Sequence, residues 1–175
     1  AAGRATNPFG DFMKWLGRCN LCGWLVVRYS RSNFGNRCVG CLSTHLHRAV
    51  GRVVQGLALS HEARVYELSS RGALYRFLHR QFPNLYCSEF FDDIPPGGKK
   101  KGIDCQDVQK LLLSDASFDL VTSTEVFEHV PDDARGFAEI FRVLKPGGHF
   151  AFTVPISSMP KTVERCFLKP DGTIE

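Results

Sequence analysis

Residues 118–155 read FDLVTSTEVFEHVPDDARGFAEIFRVLKPGGHFAFTVP, and the pattern in this stretch decides the fold. Phe118–Thr122 is a short apolar run of the kind that forms a strand buried on both faces, and His149–Val154, rich in Phe and Val, is a second. Between them Phe137, Ile140, Phe141 and Leu144 recur at i, i+3, i+4 and i+7, which predicts one amphipathic helix with these side chains toward the core. Asp132 and Asp133 stand where the positive end of the helix dipole favours acids. Lys145-Pro146-Gly147-Gly148 predicts where the helix stops. Strand, crossover helix and strand form a βαβ unit, so the two strands should be parallel neighbours joined by a right-handed crossover. Sheets of this kind bind their ligands beyond the carboxyl ends of the strands.

Moving upstream, Ile103–Cys105, Asn84–Glu89 and Arg64–Leu68 predict three more strands. Ala73–Arg80 predicts a helix that turns Leu74, Phe77 and Leu78 to the sheet. The connection between Arg64–Leu68 and that helix, Glu67-Leu68-Ser69-Ser70-Arg71-Gly72, keeps a single glycine. Asp92–Lys101 (DDIPPGGKKK) reads as a polar, turn-rich loop with its lysines in solvent.

Nearer the N-terminus, Cys19 and Cys22 form one CxxC and Cys38 and Cys41 another, with 15 residues between the pairs. Each turn aims two sulfurs at one point, and the intervening Trp24–Tyr29 and Asn33–Arg37 suit a short hairpin. This is the spacing of a four-thiolate zinc ribbon. Four thiolates close the tetrahedron, so the metal would be structural. Two disulfides or four free thiols are the alternatives, and nothing marks the chain as secreted. After Cys41 a helix carries Leu46, Val50, Val53, Val54 and Leu57 on the side expected to dock on the main domain, and His45, Arg48 and Arg52 on a side expected to be wet. Residues 1–16 lack periodicity and read as a lead-in, 17–45 as the ribbon, and 46–175 as the main domain.

A chain of 175 residues with 43% hydrophobic and 23% charged side chains fits one soluble globular domain plus a small module. No apolar run approaches the ~18 residues that span a bilayer, and no signal-peptide core begins the chain, so the expectation is a cytoplasmic protein without a membrane partner. Charge is uneven: residues 1–60 hold eight basic side chains and one acid, while the rest carries a net charge of −3. That basic N-terminal module suits nucleic acid or a phosphorylated substrate, or is a solvated face that offsets metal-bound thiolates.

The ordered series FDLVTSTEVFEHV, helix, RVLKPGGHFAFTVP resembles the fourth strand, helix and fifth strand of class I S-adenosylmethionine-dependent methyltransferases of the type 11 group. The paired His47-Arg48 after the second CxxC resembles zinc-ribbon members of that group, so the resemblance runs from Cys19 to about Pro155. It implies an α/β, Rossmann-like sheet with helices on both faces, preceded by a small four-cysteine zinc ribbon, and it implies S-adenosylmethionine as cofactor beside structural zinc. Glu67, Ser69, Ser70 and Gly72 then stand for the family's glycine-rich loop, E/D-x-G-x-G-x-G, from which this chain departs. Glu67 would support that loop or meet the methionine amino group, and Arg71 would suit its carboxylate. Glu89, followed by Phe90, would take the ribose hydroxyls. Asp107 would meet the adenine amino group and the Val108 backbone a ring nitrogen, although Asp107 also suits capping the next turn. Ser123 would line the cofactor at the end of the fourth strand. His129 is the candidate base, yet the EHV triplet recurs in members with dissimilar acceptors, which points equally to an architectural role.

Glu164–Leu168 suits a further strand and Lys169–Gly172 a turn. The family's closing hairpin of sixth and seventh strands finds no room, so the expectation is a C-terminally incomplete domain whose fifth strand is an edge, open to another chain. The implied activity is methyl transfer to a small molecule or sugar. The alternatives are an RNA methyltransferase that docks through the basic ribbon, and a non-catalytic scaffold on a degenerate methyltransferase fold.

Overall fold

Two of the apolar runs become the paired strands at one side of a six-stranded sheet. The structure, a computed structural model, describes residues 14–28, 30, 35–156 and 166. A three-stranded antiparallel ribbon comes first: β1 (Lys14–Arg18), β2 (Leu25–Arg28) and β3 (Asn36–Cys38). Helix α1 (His45–Gly56) leads into β4 (Val65–Glu67), α2 (Gly72–Gln81) and β5 (Leu85–Glu89). Then come β6 (Lys99–Lys100), β7 (Ile103–Cys105), β8 (Phe118–Thr124), a 3-10 turn over Phe127–His129, α3 (Asp133–Val143) and β9 (Leu144–Thr153). The sheet order is β6-β7-β5-β4-β8-β9. All its pairings are parallel except β6 with β7. From β4 the chain builds outward through β5 and β7, then returns to place β8 on the other side, so the topological switch falls at the carboxyl ends of β4 and β8.

Both faces of the sheet are covered, as an alternating β4 requires. Val65 points into a core with α1 and α2, through Val50, Val54, Leu74 and Leu78. Tyr66 points into a second core with α3, through Ile140 and Val143. No helix among the described residues is long and apolar enough to cross a membrane.

Several expectations are corrected. The lead-in over residues 1–16 overlaps β1, which begins at Lys14 and pairs with β2. In α3 the buried residues are Gly136, Ile140 and Val143, while Phe141 is 82% exposed. The inward stripe is therefore rotated from the Phe137/Phe141 line. Phe137 instead stacks on Phe127 at 4.4 Å, within an aromatic cluster completed by Phe150 and Phe152. Lys145–Gly148 is not a helix stop before a strand at His149. Strand β9 already begins at Leu144 opposite Phe118, and the next pairing, Leu120 with His149, leaves the intervening residues as a bulge. The lysines of 99–100 are not merely solvated, since they form β6 and pair with Asp104 and Asp93. Val53 of α1 is exposed, and Arg48 is half-buried, donating to the Ser43 and Asn36 carbonyls. The suggested strand over Glu164–Leu168, apart from Cys166, the turn at Lys169–Gly172 and the hairpin residues Tyr29, Asn33 and Phe34 lie outside the described residues.

Candidate active site and cysteine centre

At the carboxyl ends of β4, β5 and β7 lies a cavity of about 120 Å³. Glu89, Phe90, Asp107, Val108 and His129 all line it. Leu68 and Val126 make part of its apolar lining. The elements explain these positions. Glu89 is the last residue of β5, Asp107 follows β7 by two residues, and the turn holding His129 leaves the end of β8. Two carboxylates at strand ends, flanking an apolar slot, suit a ligand with a flat apolar ring and polar groups on its rim.

The glycine-poor loop is held by Glu89. Ser69 Oγ, Ser70 N and Ser70 Oγ all donate to Glu89 Oε1, at 3.2, 2.9 and 2.9 Å, which leaves Oε2 outside these bonds. The Arg71 guanidinium stands 3.6 Å from the same carboxylate, although its side chain is largely exposed. Gly72 opens α2 with φ +91°, and a Cβ there would meet nothing within 4 Å. Backbone conformation rather than crowding therefore calls for glycine at this position.

Glu67 lies beneath the loop and is buried. The Thr122 hydroxyl donates to its carboxyl. Burial pushes the Glu67 carboxyl up to about 8, against the smaller lowering by that hydrogen bond, so near neutral pH it is largely protonated. Ser123 is also buried, and its Oγ has no hydrogen-bond partner among the described residues. Asp107 Oδ1 accepts from the Gln109 backbone and side chain, at 2.8 and 3.1 Å, and so caps the turn that follows β7.

The four ribbon cysteines converge. Their sulfurs all lie within 4.8 Å of one another, with Cys19 to Cys41 at 3.7 Å and Cys22 to Cys38 at 3.4 Å. None of these is a disulfide. A tetrahedral zinc with Zn–S bonds of about 2.3 Å sets sulfurs about 3.8 Å apart, so this donor set fits the ion. Cys41 N approaches Cys38 Sγ at 3.5 Å, and Ser43 Oγ lies 3.3 Å from Cys19 Sγ.

Residues 38–152 match the type 11 methyltransferase domain. The chain belongs to that family. Its members are class I, S-adenosylmethionine-dependent methyltransferases. One relative, dimethylglycine N-methyltransferase of Parasynechococcus marenigrum, is 42% identical over 62 residues, covering 35% of this chain and 21% of that protein. The ubiquinone biosynthesis O-methyltransferase of Coxiella burnetii is 39% identical over 49 residues, 28% of this chain and 21% of the enzyme. The matched stretch thus spans about a fifth of the length of each. Among solved structures, an S-adenosylmethionine-dependent methyltransferase from Mesorhizobium loti aligns over 61% of this chain and 53% of its own, with 27% identity and a TM-score of 0.45.

Within this methyltransferase domain, the residues expected at the site fall into three groups. Glu89, Phe90, Asp107, Val108 and His129 line the same cavity. Ser69 and Ser70 are outside the lining but bonded to Glu89 of the wall, and Gly72 follows them in the same loop. Glu67 and Ser123 are not in the cavity wall; both are buried at the ends of β4 and β8. Sequence reading missed Tyr66 and Ser88, which line the cavity and share a 2.8 Å hydrogen bond. Their positions are set by strand pairing over 22 residues, which no local pattern signals. His47 also reads differently here. It completes a capping box with Thr44 at the start of α1, its Nδ1 accepting from Thr44 N.

Proposed function

We propose that this methyltransferase domain binds S-adenosylmethionine at the carboxyl ends of β4, β5 and β7 and transfers its methyl group to a small-molecule or sugar acceptor. The observation that carries the reading is Glu89 and Asp107 in the lining of one apolar cavity beside the topological switch. A cavity of about 120 Å³ is smaller than the ~300 Å³ typical of whole-ligand sites. It suits the adenine ring, with the rest of the molecule lying in the open cleft over Ser69–Gly72. Glu89 Oε2 accepts from the ribose hydroxyls while Oε1 keeps the loop in place. Asp107 takes the adenine amino group and the Val108 backbone a ring nitrogen, with Phe90 against the ring.

Bound there, the cofactor supplies an electrophilic methyl on sulfur. The chain's residues orient it and exclude water, which is the main requirement of an in-line displacement. Ser123 Oγ, buried with no partner among the described residues, offers a hydrogen bond to the ligand's methionine end. That His129 lines the same cavity as Asp107 and Val108 supports a covering role over the adenine more than proton removal from an acceptor. Zinc in the Cys19, Cys22, Cys38 and Cys41 set holds the ribbon, and the closed tetrahedron leaves no position for substrate. The small-molecule acceptor is supported by the names of the relatives, which act in dimethylglycine and ubiquinone chemistry. The outer edge of β9 is bare among the described residues, which supports self-association there, checked by light scattering over a range of concentrations.

The test is calorimetric titration of the zinc-loaded chain with S-adenosylmethionine and S-adenosylhomocysteine. Micromolar binding, about −8 kcal/mol, is expected. A folded chain that binds neither overturns the reading.

A further inference from the structure

A second, larger concavity lies away from the cofactor cavity, between the ribbon and α2. It is open, about 650 Å³, and lined by Trp24, Val39 and Gly40 from the ribbon and by Arg76 and Arg80 from α2. Trp24 is 64% exposed, yet its ring is not loose. A Cβ at residue 40 would sit 2.6 Å from Trp24 Cγ, so the indole rests directly on the Gly40 backbone. The two arginines are one helical turn apart. Each spends an N–H on a ribbon carbonyl, Arg76 on Cys41 and Arg80 on Leu21, at 2.8 and 2.9 Å. These bonds fix the guanidinium planes and leave the remaining donors of each fork to a ligand.

Cys22 and Cys41 of the metal set also line the groove, and its two arginines stand on a segment without acidic side chains. Residues 12–61 contain no Asp or Glu, and neither do residues 68–88. Burial, and after it positive charge from Arg37, Arg48 and Arg76, holds the His47 imidazole below its ordinary value.

We propose that this groove binds a single strand of nucleic acid, with a base stacked on Trp24 and phosphates on Arg76 and Arg80. A fixed, exposed aromatic ring beside guanidinium forks is the combination that non-sequence-specific single-strand binding uses. The openness of the groove favours a strand over a free nucleotide, because small-ligand sites enclose most of their ligand. The lack of Asp and Glu in the segments that supply the groove favours an anionic ligand. The inference concerns how a strand is held, and it stands independently of the acceptor proposed above.

The experiment is fluorescence anisotropy of the zinc-loaded full chain with a labelled oligouridine of about 12 nucleotides, at salt from about 50 to 200 mM. Binding that weakens steeply with salt is expected. Trp24→Ala should weaken it at least about fivefold with the salt slope unchanged, and Trp24→Phe should restore most of the loss. The double variant Arg76→Gln, Arg80→Gln should lower the slope by about 1.4, roughly 0.7 for each phosphate no longer neutralised. Unchanged zinc content and S-adenosylhomocysteine affinity show that a variant is folded. Because the arginines also touch the ribbon, the Trp24 pair of variants decides if the double variant loses zinc. No binding at low salt, equal binding by Trp24→Ala, or equally tight binding of uridine diphosphate or polyglutamate overturns the inference.

Discussion

One Glu89 oxygen gathers three donors from Ser69 and Ser70, and the proposal gives the other to the ribose of the cofactor. Glu89→Ala should therefore weaken S-adenosylhomocysteine binding by about 1 to 3 kcal/mol, the range for charge-assisted hydrogen bonds. Ser69→Ala, which removes one of the three donors, should lose less. Calorimetry on both separates ligand contact from loop support, and an unchanged affinity in Glu89→Ala removes it from the site. Glu67 makes a different prediction. Its carboxyl is raised from 4.5 to about 8 by burial, so folding favours its protonated form. Its contribution to stability is fully present below the unfolded value, is lost as pH rises through the window between the two, and is gone above about 8. The slope is about 1.4 kcal/mol per pH unit across that window. Glu67→Gln should flatten the decline, which urea unfolding from acid to mildly alkaline pH measures.

Among the elements, α3 is fastened to the chain ahead of β8 largely through the Arg142–Glu139 pair. Arg142 donates to both oxygens of Glu139 at 2.9 and 2.8 Å, and to the carbonyls of Leu111 and Leu113 at 2.9 and 2.8 Å. Glu139 in turn accepts from Leu111 N at 2.8 Å. Arg142→Lys keeps the charge but not the planar fork, so it should cost about 1 to 2 kcal/mol in chemical unfolding. A lysine as stable as arginine would show that charge alone suffices. This scale also divides what the sequence reveals from what it hides. The strand at Phe118–Thr124 is legible because it is buried on both faces and carries Phe118, Leu120 and Val121 close together. The core-facing side of α3 is not, because Phe137 and Phe141 satisfy the helical period while four packed aromatic rings, two of them from β9, decide where Phe137 goes. The start of β9 is hidden by Pro146-Gly147-Gly148, residues that commonly end helices and here form a bulge. Glu89 and Asp107 are legible as acids at strand ends, whereas Tyr66 and Ser88 reach the cavity only through register.

Across the whole molecule, the ribbon is a third layer rather than an appendage. Cys19, Leu21, Val26 and Cys38 belong to the same core as Val65 of the sheet and Leu74 and Leu78 of α2. Leu21 lies so near Gly51 of α1 that a Cβ there would come within 2.2 Å of it. Sequence reading sets residues 17–45 apart as a ribbon with a structural metal, and metal binding of that kind supplies folding free energy. In the structure that free energy is shared with the sheet. Chelation of zinc should therefore lower the melting temperature of the entire domain in one transition. The loss should amount to several kcal/mol, each worth about 2 to 4 °C at this chain length. Two separate transitions in differential scanning calorimetry would refute that coupling. One zinc per chain is the stoichiometry to verify beforehand.

The indole seated on Gly40 has an optical consequence. The chain holds two tryptophans, Trp15 and Trp24, so replacing Trp15 with phenylalanine leaves one fluorophore, about two-thirds in water and two residues from a cysteine of the metal set. Its emission should start red, as a wet indole's does. It should dim when a ring stacks against it, and it should change differently when the thiolates beside it lose their ion. Occupancy of the groove and integrity of the metal centre can then be followed from one spectrum, without any label.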